Sequence, residues 1–141
     1  DTSCLVYFFE GSSRYGGLVE YILQKAQQDK CAILFSVLAL TELLVPLYKK
    51  ERYDIVKEYR FFITSFPGSV LVDVDAKCAL YASRLRAHYS FLRTPDALHL
   101  ACSLKAGADV FVTNDKRLQG VDEIKVMYLG DFVNEKNSLR A

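Results

Sequence analysis

Apolar side chains recur along this chain with two alternating periods. Short runs of strand length occupy Ala32 to Phe35, Val70 to Val74, Val110 to Thr113 and Ile124 to Leu129, bounded by polar or turn-forming residues as strands are. Between them the spacing becomes helical. In LALTELLVPLYKK, Leu40, Leu43, Leu44 and Leu47 share one helical face, and Ile55, Tyr59, Phe62 and Ile63 do so in the next segment, which predicts two helices each with a single buried side. Pro46 lies inside the first, where the lost backbone donor predicts a kink or a break before Tyr48. Further helices are predicted from about Ala76 to Tyr89 and from Pro95 to about Ala106, the latter ended by Gly107 as a C-terminal cap. Strands alternating with helices imply an α/β fold, a parallel sheet covered on both faces. No linker, low-complexity tract or repeat divides residues 1–141, so one domain is expected.

Composition narrows the class. At 141 residues the chain can bury about two thirds of its unfolded surface, and an apolar fraction of 51% with 25% charged residues excludes a disordered or fibrous protein. The cysteines Cys4, Cys31, Cys78 and Cys102 are far apart, without a CxxC pair or zinc spacing, and read as buried thiols of a reducing cytosol. No run reaches the roughly 18 apolar residues of a membrane span and no secretory signal opens the chain, so a cytoplasmic location and no membrane partner are expected. A net charge of +1 means that any nucleic-acid contact must come from local basic patches.

The acids are where chemistry enters. In RTPDALHLA, Thr94, Pro95 and Asp96 read as N-cap, first and second helical positions, with Asp96 over unpaired amides and favoured by the helix dipole. Helix initiation alone would explain it. The other acids occupy equivalent places: Asp115 follows the strand in VFVTND, Asp1 in DTSCLV stands where a first strand would stop and a helix begin, and Glu42 lies in the first turn or so of the helix after the strand that ends near Ser36. Open α/β sheets build ligand sites beyond the carboxyl ends of their strands, so all four can meet on one rim. Carboxylates so gathered repel one another unless a cation neutralises them. Oxygen ligands without His or Cys suit Mg²⁺ or Mn²⁺, and such an ion with a metal-activated water is the usual apparatus for hydrolysing a phosphodiester.

At these residues the chain resembles PIN domains, and within them the short VapC-type toxins of toxin-antitoxin pairs. DTSCLVYFFE, SVLALTELLVPLYKK and TPDALHLACSLKAGADVFVTNDKRL carry the likeness, the last being long and specific. The resemblance implies a three-layer sandwich, a mainly parallel central sheet flanked by helices. It implies a Mg²⁺- or Mn²⁺-dependent endoribonuclease acting as a homodimer on structured RNA, commonly tRNA or ribosomal RNA. A cognate antitoxin is implied as well, wrapping the toxin, presenting an Arg or Lys to the acidic site and repressing the shared promoter. Carried over by position, the acidic site falls on Asp1, Glu42, Asp96 and Asp115. Asp1, Asp96 and Asp115 would ligate the ion, and Glu42 would ligate it or position its water. The departure from the pattern is the missing strand ahead of Asp1, and a few apolar residues are expected before it.

Around these acids, Thr2, Ser3, Thr113 and Asn114 are placed to orient the carboxylates. Between Ala76 and Pro95 no acid occurs, while Lys77, Arg84, Arg86 and Arg93 alternate with Tyr81, Tyr89 and Phe91, a composition suited to RNA phosphates and unpaired bases and equally to a solvated helix face over a core. Arg93, Arg84 and Arg86 are the candidate RNA or antitoxin contacts, with Lys116 and Arg117 beside Asp115 for a phosphate. His99 reads as a helix-packing residue rather than a general base. The Leu40 and Ile55 helices could supply a dimer surface. Haloacid-dehalogenase and receiver folds fit poorly, since Ser3 stands where the former needs a second Asp and the latter needs paired acids. The alternatives kept are a non-cleaving RNA- or protein-binding module of the same fold, and a PIN nuclease of RNA processing or DNA repair.

Overall fold

The computed structural model describes residues 1–138. The chain runs α1 (Thr2–Phe9), α2 (Gly16–Gln28), β1 (Ile33–Ser36), α3 (Leu38–Lys49), α4 (Tyr53–Ser65), β2 (Ser69–Val72), α5 (Ala76–His88), α6 (Thr94–Lys105), β3 (Val110–Thr113), a 3-10 turn (Lys116–Gly120), β4 (Lys125–Tyr128) and α7 (Leu129–Ser138). Each strand predicted from its apolar run is present within two residues of its expected ends. Pairing is parallel throughout, as the intervening helices require. Strand β1 runs beside β2 with Phe35 opposite Leu71, and β3 beside β4 with Phe111 opposite Val126.

The expected sheet is present as two separate parallel pairs, β1-β2 and β3-β4. No ladder joins the pairs among the described residues, yet they share a core: Ile33 of β1 and Val112 of β3 pack on one cluster with Cys4, Val19, Leu23 and Leu129. A second cluster places Leu85 of α5, Leu100 and Ala101 of α6 and Phe111 of β3 together. The third joins α1, β1, α3 and α4 through Leu5, Phe35, Leu43 and Ile63. Phe9 stacks on Tyr59 there with ring centroids 3.8 Å apart. Bulky rings thereby fill the space between helices that aliphatic residues alone would leave open.

Local signals explain most element ends. Asp75 caps α5 by accepting the Cys78 N–H at 3.0 Å. Gly107 follows α6 at φ +72°, a left-handed conformation favourable to glycine, and its N–H bonds the Leu104 carbonyl at 3.2 Å. Three expectations need correction. Thr94 is not the N-cap of α6: Arg93 holds that position, with its carbonyl accepting from the Ala97 amide at 3.0 Å and no side chain capping the helix. Of the kink or break expected at Pro46, the break before Tyr48 does not occur, since α3 continues to Lys49. The residue is exposed, so its ring meets no core, and the hydrogen bond it cannot make is the one to the Glu42 carbonyl. Cys31 is exposed rather than buried, lying in the turn before β1, whereas Cys4, Cys78 and Cys102 are buried as expected.

No helix among the described residues is long and apolar enough to cross a membrane. Leu100 is fully buried and Leu80 is 67% exposed, although they sit on helices α6 and α5, which pack against each other. Leu100→Ala is expected to cost about 2–5 kcal/mol through the cavity it leaves. Leu80→Ala should stay within about 0.5 kcal/mol of the parent. Equilibrium urea unfolding of the two variants measures the difference directly.

Candidate active site

Asp1 joins α1 to the end of β3. Its Oδ1 accepts the Ser3 N–H at 2.8 Å, which caps α1, and its Oδ2 accepts the Thr113 hydroxyl at 2.6 Å. Its own nitrogen donates to the Val112 carbonyl at 3.1 Å. Thr113 is fully buried, and while donating to Asp1 it accepts the Asp115 N–H at 3.0 Å. One hydroxyl, used as donor and acceptor at once, thus sets two carboxylate-bearing residues relative to each other.

Glu42 is held from another side. Projecting from the second turn of α3, its Oε2 meets His99 Nε2 at 2.9 Å and accepts a short hydrogen bond from the Thr2 hydroxyl. Thr2 and His99 are themselves 3.2 Å apart, and both are 7% exposed. The His99 hydrogen bond holds the Glu42 carboxyl below the usual glutamate range, helped by Thr2 and opposed by burial. His99 is therefore a buried histidine, as expected, but one bonded to the acidic cluster and not merely packed.

Asp115 follows β3 and opens the 3-10 turn. Its Oδ1 accepts the Arg117 backbone N–H at 3.0 Å, and the Arg117 guanidinium lies across the carboxylate with Nε at 3.0 Å from Oδ1 and 3.1 Å from Oδ2. That guanidinium is the main cause of an Asp115 pKa below the ordinary aspartate value. Asp96 differs from the other three. It lies in the first turn of α6 at the third helical position, and its Oδ2 is buried without a hydrogen-bond partner among the described residues.

Asp1, Glu42, Asp96 and Asp115 line one cleft of about 390 Å³, together with Ser3, Tyr7, Arg93, Pro95, Asn114 and Arg117. The buried side-chain polar atoms without a partner among the described residues are Asp96 Oδ2, Ser3 Oγ and Asn114 Oδ1. All three belong to residues lining this cleft. Buried polar atoms are seldom left unpaired, and these three belong to residues gathered around one cleft. Carboxylate, hydroxyl and amide oxygens are the donor set that a hard divalent cation takes. Among the described residues no three His, Cys, Asp or Glu side chains already stand as a cation's ligands. Glu42 is drawn toward His99 and Asp115 toward Arg117.

The four acids, Ser3, Asn114 and Arg93 thus come together, with Thr2 and Thr113 buried just behind them. Lys116, Arg84 and Arg86 do not line the cleft; all three are exposed, and Arg86 turns its Nε to the Leu92 carbonyl at 3.4 Å. Tyr7 was not legible as a site residue, since it sits in an apolar run. Its hydroxyl accepts from Asn114 Nδ2 at 2.8 Å, aiming that amide. Arg117 rather than Lys116 takes the place beside Asp115, and the turn explains why: its N–H caps the acid two residues earlier, which brings its side chain back over the carboxylate.

The depressed Glu42 pKa makes a signed prediction. A carboxyl lowered in the folded state stabilises above its unfolded value, and that contribution is lost as pH falls through the lowered one. His99→Phe removes the hydrogen bond chiefly responsible. The Glu42 titration midpoint, followed by its carbon-13 carboxyl shift, is expected to move upward, and the acid-side loss of stability should become shallower below the ordinary glutamate range.

The profile of the PIN domain family matches residues 1–124. No curated protein matches the chain. Among solved structures, VapBC2 from Rickettsia felis bound to a DNA fragment from its promoter is 19% identical, covering 91% of this chain and 95% of that one with a TM-score of 0.68. A toxin-antitoxin complex from Klebsiella pneumoniae is 20% identical, covering 92% and 94%, with a TM-score of 0.64. At these identities the likeness is one of fold. With a match that spans most of its length, and with that fold, this chain belongs to the PIN-domain family.

Proposed function

We propose that this protein is a Mg²⁺- or Mn²⁺-dependent endoribonuclease, a VapC-like toxin that hydrolyses phosphodiester bonds of structured RNA such as tRNA or ribosomal RNA in the cytoplasm. The observation that carries the reading is the convergence of Asp1, Glu42, Asp96 and Asp115, from four separate elements, on one cleft, three of whose lining residues carry a buried side-chain oxygen unpartnered among the described residues. Asp1, Asp96 and Asp115 would hold the cation, and Glu42 would hold it or orient the attacking water. A bound divalent cation supplies charge neutralisation and makes water acidic enough to attack phosphorus near neutral pH. Thr113 keeps Asp1 and Asp115 in register, His99 and Thr2 keep Glu42 ionised and aimed, and Arg93 at the mouth receives a substrate phosphate.

A cognate antitoxin and a homodimer belong to the same reading. Solved structures of this fold include a VapBC2 assembly on promoter DNA and a toxin-antitoxin complex, and an antitoxin would cover the basic and acidic rim of the cleft. For the dimer, Val45 and Tyr48 of α3 with Tyr53 and Phe61 of α4 are exposed at 43%, 51%, 58% and 71%, an apolar face suited to a second copy. The rival is a non-cleaving RNA- or protein-binding module, favoured by the engagement of Glu42 and Asp115 with His99 and Arg117.

Purified protein incubated with structured RNA, with Mn²⁺ or with chelator, decides between them. Cleavage is expected only with the cation, and RNA binding without cleavage in either condition would favour the rival. Asp96→Asn should fold, becoming slightly more stable without metal as repulsion is relieved. It should lose cleavage by at least about 10²-fold, the order that one electrostatic contact to a transition state contributes. Thermal stability should rise with Mn²⁺ in the parent and hardly at all in Asp96→Asn. A folded, fully active Asp96→Asn protein would rule the mechanism out.

A further inference from the structure

The Arg117 backbone N–H already orients Asp115, at 3.0 Å from Oδ1. The side chain adds a second hold of a different kind. Its Nε reaches both carboxylate oxygens at 3.0 and 3.1 Å, and Nη2 makes a still closer contact with Oδ2. The lone pairs that a cation would use on Asp115 are thereby engaged by a guanidinium belonging to the same chain. Arg117 is also part of the lining of the cleft, beside Asp96 and Asp115.

We propose that Arg117 is a displaceable internal counter-ion. Without a bound cation it neutralises Asp115, and when a divalent cation takes that carboxylate, the guanidinium moves to a substrate phosphate in the same cleft. The inference rests on the metal-dependent nuclease reading and adds an order of events to it.

Three observations carry it. The first is exclusion: a guanidinium and a divalent cation on one carboxylate repel each other and compete for the same oxygens. The second is mobility. The Arg117 side chain is 48% exposed, against 8% for His99 in the Glu42 pair, so the His99 contact is fixed by packing while the Arg117 contact can be exchanged for water at little cost. The third is shape, because the planar fork that spans the Asp115 carboxylate fits a phosphate in the same bidentate manner. A lysine would neutralise Asp115 as a point charge without this second fit. Reciprocity then requires that Arg117 weaken cation binding by the same factor by which the cation loosens the ion pair.

Mn²⁺ affinity, measured by electron paramagnetic resonance without RNA, tests the first half on the parent, Arg117→Ala and Arg117→Lys. Arg117→Ala is expected to bind Mn²⁺ about two- to five-fold more tightly, the factor an exposed ion pair is worth, with Arg117→Lys in between. Single-turnover cleavage of a structured RNA at saturating Mn²⁺ tests the second half, and Arg117→Ala should be slower by about 10-fold or more. Equal or weaker Mn²⁺ binding by a folded Arg117→Ala protein would overturn the competition, and an undiminished rate at saturation would overturn the transfer to phosphate. Far-UV circular dichroism checks folding, and Arg117→Lys carries the comparison if the alanine variant does not fold. Absence of Mn²⁺ binding in every protein, the parent included, would remove the metal reading itself. Binding indifferent to residue 117 would remove only the counter-ion.

Discussion

Like charge brought together in a confined space must be compensated, and four carboxylates on one cleft make that the governing constraint of this molecule. Each acid meets it differently. Asp1 is compensated by dipoles, an amide and a hydroxyl. Glu42 has a buried imidazole and a hydroxyl, and Asp115 has a guanidinium with one foot in solvent. Asp96 has an oxygen with no partner among the described residues. The gradation runs from rigid to open, so the cleft has a fixed wall, formed by Asp1 and Glu42, and a side where charge remains to be satisfied.

The scaffold makes this arrangement possible because it places chain ends of one kind on one edge. Strand β3 terminates at Thr113, whose hydroxyl reaches both the start of α1 and the residue that follows the strand. Helix α6 begins beside the same edge, and its residue Cys102 packs against Cys78 of α5 while Ser36 at the end of β1 donates to the Cys102 sulfur at 3.5 Å. Burial raises the Cys102 thiol to about 11, so it stays protonated and behaves as a small packing group. Among the described residues the two strand pairs share no ladder, so side-chain packing such as this ties β1 to the helices that carry the site.

Legibility followed the range of the interaction. The strands and the helices α3 to α6 were readable because apolar period is a local property, and the boundaries missed by a residue or two were settled by hydrogen bonds such as that from Ala97 to the Arg93 carbonyl. Helix α2 carries the same local signal, with Val19, Ile22, Leu23 and Ala26 on one face. Three of the acids were readable because each stands at a strand or helix end, and Glu42 because it follows the β1 strand end within two helical turns. What joins them was not. Thr113 and Asp1 are 112 residues apart, His99 and Glu42 57 apart, and no period or spacing announces such pairs. The separation of Arg117 from Lys116 depends on a 3-10 turn whose cap is visible only once Asp115 is known to accept from the second residue on.

Asp96 shows why the arrangement persists despite its cost. A buried acceptor without a partner is worth of order 1–3 kcal/mol against folding, more than an exposed ion pair elsewhere returns. The compensation sits on the same helix. Ala97, Leu100 and Ala101 are fully buried and Cys102 is 2% exposed. A Leu side chain taken out of water contributes about 2 kcal/mol. Rotating α6 to give Asp96 more water would withdraw these residues from the core, so packing holds the acid where its own solvation would not leave it. The free energy stored there is recovered by whatever neutralises that oxygen, which ties ligand affinity at the cleft to the quality of the core beneath it.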